Sequence, residues 1–438
     1  MAGGGEVDTD RQLRQPGRGR LTVRPRRRLL PAVLREHRDF RRYWAGQTAS
    51  LFGDQVNLLA LPLTAVLVLH AGPVQMGALG AAGLLPNLLF SVPAGALADR
   101  LGRRRLLMIA ADCGRVLILG SVPLAAMLHI LTMTQLLAVA FGAGTLSVLF
   151  TVSASSLFVS LVPRERYLDA NSTVFGSRAF SFVAGPSAGG LLVQALSAPM
   201  ALLADAASFL ASALSLASIR PVESAGSSGP GQVVGGIRFL VRSPVMRASI
   251  AATATINFGN FIYQALVILY VTRVLGLRPG SLGLVVGCGA VGALLGSMVA
   301  GRFARGIGVG PAFLVGCLLF PAPLMLVPLA GGPSGLVLAT LVAALFLSGL
   351  GVIILDIPFG SITAALVPPP LRSRVAGAFM VVNYGVRPLG SLLGGLLGAA
   401  FGLRPVLVAA TVAATLGFLW LLPSAVPRLR ELPEVSPD

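Results

Sequence analysis

Lysine is absent from this 438-residue chain, and all 34 of its basic side chains are arginine. A phosphate-binding loop needs a lysine to reach the terminal phosphates, so nucleoside triphosphate hydrolysis within this chain is excluded. Histidine is nearly as scarce. His37, His70 and His129 fall in the tail or near helix ends and build no His-Glu-x-x-His zinc site. Three cysteines, Cys113, Cys288 and Cys317, lie in apolar tracts and suit packing rather than a disulfide framework. Charge as a whole is sparse. Only 11% of residues are ionic against 55% hydrophobic, with a mean hydropathy of +0.83, which excludes a soluble globular protein.

What is present is a series of apolar tracts of about 20 residues, each long enough to cross a bilayer as a helix. Twelve spans are expected, six within 43–219 and six within 246–424. The tracts are continuously apolar and glycine-rich, without the in–out alternation of a barrel strand, so the fold is read as all-helical. The remaining divisions are an Arg-rich tail (1–42), a linker (220–245) and a second tail (425–438). No cleavable signal peptide precedes the first span. Within the linker, Val233 to Arg242 reads equally well as a short surface helix or a solvated connector.

Arginine sets the orientation. With twelve spans, 28 of the 34 arginines fall on the side of the two termini, only Arg273, Arg278 and Arg404 on the other, and Arg115, Arg178 and Arg387 inside spans. The positive-inside rule therefore places both termini in the cytoplasm, and all-arginine usage with abundant Ala, Gly and Pro points to a bacterial cytoplasmic membrane. The net charge of +18 is read as contact with anionic lipid headgroups, not nucleic acid.

The chain also repeats itself. At a shift of 206 residues Phe52-Gly53-Asp54 falls on Phe258-Gly259-Asn260, Pro73 on Pro279, Gly77 on Gly283, Gly95 on Gly301 and Gly102 on Gly308. Two six-helix bundles related by an axis along the bilayer normal are the arrangement of a transporter.

Several motifs sharpen this. Gly95-Ala-Leu-Ala-Asp99-Arg100-Leu-Gly102-Arg103-Arg104-Arg105 resembles the loop signature of the major facilitator superfamily. That resemblance implies that Asp99 latches helix ends across the two halves in the outward-facing state. The second copy, Gly301 to Gly308, carries Arg305 at the acidic position, which implies an absent or weaker second latch. Gly185-Pro186-Ser187-Ala188-Gly189-Gly190 resembles the antiporter signature of drug:proton exchangers in that superfamily, with an echo at Gly390, Gly394 and Gly395. The passages Tyr43 to Gln55, Ala110 to Arg115, Val162 to Arg166 and Ala170 to Ser172 are similar to the branch holding macrolide-efflux proteins and the enterobactin exporter.

Ionisable groups within spans are costly and default to functional candidates. Asp54, Arg115 and Arg387 lie at comparable depth and are expected to meet near the midplane as the proton-coupling group. A conformational change that alters the burial of Asp54 or its arginine neighbour would change its hold on a proton. Asp112 and Arg115 share a helix face at i and i+3 and are expected to neutralise each other. Arg178 is expected to face the cavity or a neighbouring helix, Asp205 to be partly hydrated, and Asp356 to pair across the domain interface, all three as structural or gating groups. Gln47, Gln55, Asn57, Phe90, Phe258, Phe261, Tyr263 and Tyr384 are candidates to line an amphipathic cavity.

The leading function is a secondary active exporter of amphipathic small molecules, drugs or macrolides, exchanging them for protons by alternating access. A dedicated exporter of a siderophore or self-made metabolite, a membrane-embedded enzyme and a transport-dead sensor remain open. No cofactor or metal is expected, and a monomer is expected to suffice.

Overall fold

The computed structural model describes residues 31–219, 233–368 and 371–431; the first 30 residues, linker residues 220–232 and the last seven lie outside the described residues. Each apolar tract becomes a helix, the one conformation in which a single segment bonds all its own backbone polar groups inside lipid. In the first half these are α1 (Arg38–Leu67), α2 (Pro73–Leu101), α3 (Arg104–Met127), α4 (Met133–Leu161), α5 (Tyr167–Leu196) and α6 (Ala198–Ala217). The second half holds α7 (Pro244–Arg273), α8 (Pro279–Ile307), α9 (Val309–Leu319), α10 (Ser334–Leu366), α11 (Arg372–Phe401) and α12 (Leu403–Leu416). A short helix, Val233–Arg242, precedes α7 where the sequence left a surface helix open. Among the described residues there is no strand.

Local signals set the boundaries. Thr132 Oγ1 accepts the Gln135 N–H at 3.2 Å to start α4, and Ser243 caps α7 through Met246 at 3.4 Å. Pro73 and Pro279 occupy the first turns of α2 and α8, where no backbone donor is needed. Gly102 ends α2 at φ +60°, a left-handed position that favours glycine.

Among the described residues eleven segments are long and apolar enough to cross a membrane, against the twelve expected. The exception is α11, a helix of 30 residues that carries Asn383, Tyr384 and Arg387 and is glycine-rich beyond them. Its polarity follows from its place, packed on α2 and α7 at the interface of the halves. Elsewhere the outer surface is strongly apolar. Leu117 and Leu168 are 74% and 79% exposed, which suits lipid and not water.

The two halves repeat their packing. In the first, α1 lies on α5 and α6, α2 on α4, and α3 on α4; in the second, α7 lies on α11 and α12, α8 on α10, and α9 on α10. The halves join chiefly through α2 with α11 and α5 with α8. Their apolar cores differ by level. On the side away from the termini one core runs through both halves, from Leu59, Leu79 and Leu202 to Leu266, Leu282 and Leu407. On the terminal side it splits into one cluster around Phe40, Met108 and Leu216 and another around Ile256, Phe313 and Phe359.

Candidate functional site

That split core leaves an opening between the halves on the terminal side, and glycine contacts show where it closes. A Cβ on Gly77 would fall 2.6 Å from the Ser391 carbonyl oxygen and 2.8 Å from Gly395 Cα, so α2 and α11 touch backbone to backbone. The Ser391 hydroxyl donates to the Gly77 carbonyl at 2.9 Å. The related crossing of α5 and α8 is equally tight. A Cβ on Gly190 would meet the Pro279 carbonyl oxygen at 2.5 Å and Gly283 Cα at 2.8 Å. Toward the termini these contacts lapse: among the described residues a Cβ on Gly83 or Gly176 would meet nothing within 4 Å, and one on Gly385 would reach Leu88 Cδ1 at 4.0 Å. The space so enclosed is a vestibule, shut at the far side.

The motif on α5 serves two neighbours at once. Gly185 and Gly189 press on Gln55 and Val56 of α1, while the Pro186 carbonyl and Gly190 press on Gly283 of α8. A spacing of four residues thus gives each neighbour its own stripe of contact.

Most intramembrane charge gathers in the first half. Arg115 on α3 forms a buried ion pair with Asp112, one turn back on the same face. The Arg115 guanidinium lies between two rings, 4.6 Å from the Phe150 centroid and 3.9 Å from that of Phe209, with Ser147 Oγ 3.5 Å away. Its field also reaches Asp54 and Asp205. Asp205 is fully buried, not partly hydrated as expected, because α1 covers it: a Cβ on Gly53 would fall 2.3 Å from Asp205 Oδ1. The Ser208 hydroxyl lies 3.4 Å from that oxygen and 2.8 Å from the Asp205 carbonyl, whereas Asp205 Oδ2 has no partner among the described residues. Asp54, next along α1, is half-buried and makes no hydrogen bond or ion pair among the described residues.

Arg387 does not join this group, contrary to the sequence expectation. It lies in the second half, 5.2 Å from the Phe261 ring and 4.6 Å from the Tyr384 ring, and the charge it meets is Asp356. Asp356 is exposed and faces an arginine of its own half, so the expected pairing across the domain interface is also corrected. Helix depth had placed Asp54 and Arg387 at one level, but the rotation of α11 turns Arg387 toward α7. Arg178 is exposed on α5, 5.8 Å from the Phe175 ring and within electrostatic reach of Tyr43.

In the basic loop, Asp99 pairs with Arg104 of its own half at 3.3 Å and not with a helix end across the interface, as the vestibule separates the halves here. Arg105 donates to the carbonyls of Leu216 and Ala217 at 2.8 and 2.6 Å, closing the C-terminus of α6. Gly95 meets only Val152 at 3.9 Å, and Arg100 and Arg103 are exposed. The second copy works differently. Gly308 and Gly310 receive the chain end, with the Gly310 N–H donating to the Leu429 carbonyl at 2.8 Å.

Of the candidate lining residues, Gln47, Gln55, Asn57, Phe90, Phe258, Phe261 and Tyr384 are partly exposed. Phe90 packs on Phe141 at 6.0 Å. Tyr263 stands apart, 3% exposed in the shared core, so its ring does not line the opening. Sequence reasoning missed Phe150 and Phe209, aromatics that no local pattern separates from ordinary core. It also missed the Asn257–Asn383 hydrogen bond of 2.9 Å between α7 and α11, and Ser208, whose i+3 spacing from Asp205 was a usable signal.

Comparison with known proteins agrees with this architecture. A family model described as Major Facilitator Superfamily matches residues 43–388 and 249–437. The chain is similar to the multidrug efflux pump Tap of Mycolicibacterium fortuitum, 27% identical over 87% of this chain and 93% of Tap. It is also similar to YfiS of Bacillus subtilis, an MFS-type transporter, at 26% over 86% and 91%. Among solved structures, an inward-facing, unoccupied bacterial homolog of the lysosomal transporter Spinster superposes with a TM-score of 0.71 at 15% identity, covering 92% of this chain and 98% of that one. An inward-facing bacterial homologue of the iron transporter ferroportin gives 0.68 at 18%, over 88% and 99%.

Proposed function

This chain belongs to the Major Facilitator Superfamily, and from that premise we propose that it exports amphipathic small molecules in exchange for protons by alternating access. The observation that carries the reading is Asp54, half-buried midway along α1, beside two further acids and a single arginine. An acid in that setting holds or loses a proton as its burial changes, and rocking of the halves changes its burial. The two glycine crossings act as the hinge and the far-side gate. The relatives include a multidrug efflux pump, and the vestibule walls mix aromatic rings with the amides of Gln47, Gln55 and Asn57.

In this reading both termini are cytoplasmic, the membrane is the bacterial inner membrane, and the vestibule opens to the cytoplasm. Substrate enters from the cytoplasm or inner leaflet, the halves rock, and the α2–α11 and α5–α8 crossings part. A proton entering from outside then resets the cycle. The energetics suffice: one charge crossing about 100 mV supplies roughly 2.3 kcal/mol, enough for a gradient of about 40- to 50-fold. The test is the purified protein in liposomes under an imposed pH gradient. A fluorescent amphiphile should accumulate uphill with counterflow of protons, and accumulation indifferent to the gradient would overturn the reading.

A further inference from the structure

Of the three arginines inside spans, Arg115 is buried with an aspartate and a serine, Arg178 is exposed beside the Phe175 ring, and Arg387 is half-buried without any acceptor among the described residues. Among the described residues Arg387 makes no hydrogen bond and no ion pair, and its Nε is buried without a partner. A guanidinium presents five N–H donors in a planar fork that fits an oxyanion side by side. Leaving such a fork unmatched in a half-buried place is unfavourable unless something outside the chain fills it.

Its position says what that would be. Ser391, which seals α11 to α2, lies one helical turn beyond Arg387, so Arg387 sits at the roof of the vestibule directly beneath the closed gate. The Phe261 and Tyr384 rings hold the guanidinium at 5.2 and 4.6 Å without hydrogen-bonding it. Asp356 is within electrostatic reach but forms no ion pair with Arg387 within 4.0 Å, so it balances the charge without occupying the fork.

We propose that Arg387 is the docking point for an anionic oxygen group, a carboxylate or phenolate, on an aromatic amphiphile carried through the vestibule. The rings of Phe261 and Tyr384 take the aromatic body, and the guanidinium takes the oxyanion through paired hydrogen bonds. This rests on the exporter reading and adds a substrate class to it: acidic or zwitterionic aromatics over purely cationic ones. A lipid phosphate entering from the inner leaflet has the same chemistry, and the test separates the two.

The experiment uses the full chain in nanodiscs and in liposomes, with three probes sharing one ring system: pyrenebutyrate, its primary amide, and its trimethylammonium analogue. The wild type should bind the acid about tenfold more tightly than the amide, the scale of a charge-assisted hydrogen-bond pair. Arg387→Gln should bring the acid down to the amide's affinity, and Arg387→Lys should retain part of the preference. Thermal unfolding of each variant checks that the helix bundle persists. Equal affinity for acid and amide in the wild type, or a preference that survives in Arg387→Gln, overturns the proposal. Suppression of all probe binding by phosphatidylglycerol, relieved in Arg387→Gln, would assign the fork to lipid and overturn it as a substrate site. If the acid is not preferred but the cationic probe is driven uphill by protons, this proposal falls and the exporter stands. If the acid is preferred but no probe moves with protons, the exporter reading falls and the binding site stands.

Discussion

The two halves keep the same backbone plan and differ almost entirely in where they keep charge. At the shift of 206 residues Asp54 becomes Asn260, Asp112 becomes Leu318 and Arg115 becomes Pro321. The residues facing the Asp205 position in the second copy are Ala410 and Thr411, neither of which ionises. Gly53 packs against Ser208 and Asp205; Gly259 packs in the same way against Ala410 and Ala414. At Pro321 the ninth helix breaks into a turn of 3-10 helix, where the first copy runs straight through its arginine. The difference teaches that helix contacts and buried charge vary separately between the two copies. Close packing is common to both copies, whereas ionic chemistry has been concentrated in one.

The sharpest way to break this comparison is to remove the first half's arginine. Arg115→Met leaves Asp112 buried without its partner, at a cost of about 3–5 kcal/mol. Arg387→Met removes two ring contacts, worth about 0.5–2 kcal/mol, and the field of an arginine that forms no ion pair with the exposed Asp356. Thermal unfolding in detergent should therefore separate the two variants widely, with the Arg115 variant poorly expressed or unfolded. Joint replacement of Asp112 and Arg115 by leucine should recover much of the loss. Equal stability of the two single variants would mean that the ion pair contributes nothing to the first half.

Next in size is coupling. Asp54→Asn should abolish uphill, gradient-driven export, because an amide cannot take up and release a proton, yet leave downhill exchange of a neutral substrate. Asn260→Asp in that background should not restore coupling, since the arginine turned toward α7, Arg387, is already balanced by Asp356. Substrate accumulation and proton flux in the same liposomes decide it. Wild-type accumulation by the Asp54 variant would move the coupling role to Asp205 or Asp112.

These comparisons also mark what the sequence could and could not reveal. Spans, duplication and glycine motifs were legible because each depends on composition or spacing along one helix. Which charges meet was not, because height along a helix follows from residue number while facing depends on neighbours. Arg387 and Asp54 share a level, but α11 turns one toward Phe261 and α1 leaves the other in the field of Arg115. Asp205 lies near a helix end, where hydration is expected, but α1 covers it through Gly53. The polarity of α11, which sets it apart from the eleven plainly apolar segments among the described residues, is the same fact seen from the sequence side: the helix serves the vestibule.

A smaller contrast lies at the loops after α2 and α8. Position 104 is an arginine in the first copy, bonded to Asp99, and its equivalent, Gly310, receives backbone from the chain end. A Cβ there would fall 1.7 Å from the Val426 carbonyl oxygen, a contact that only displacement can relieve. Gly310→Ala should cost about 1–3 kcal/mol, the range of an overpacked site, and raise protease cleavage near residue 428. Arg104→Ala should cost less, since its partner is partly exposed.

The smallest effect belongs to Asp99. Among the described residues its ion pair is with Arg104, and 29% of its side chain is exposed, so the pair contributes at most about 1 kcal/mol to stability. If the loop has a latching role, it acts when the terminal side of the vestibule closes and α2 approaches the second half, a state in which the carboxylate gains partners it lacks here. Asp99→Asn should then leave insertion and unfolding temperature near wild type while slowing export severalfold, because an amide holds the closed terminal side less firmly. The equivalent position in the second copy is Arg305, already without an acid, so Arg305→Gln should change export less than Asp99→Asn. Initial export rates at saturating substrate, normalised to folded protein, measure both. Matching rates for Asp99→Asn and wild type would reduce the loop to an orientation signal written in arginine.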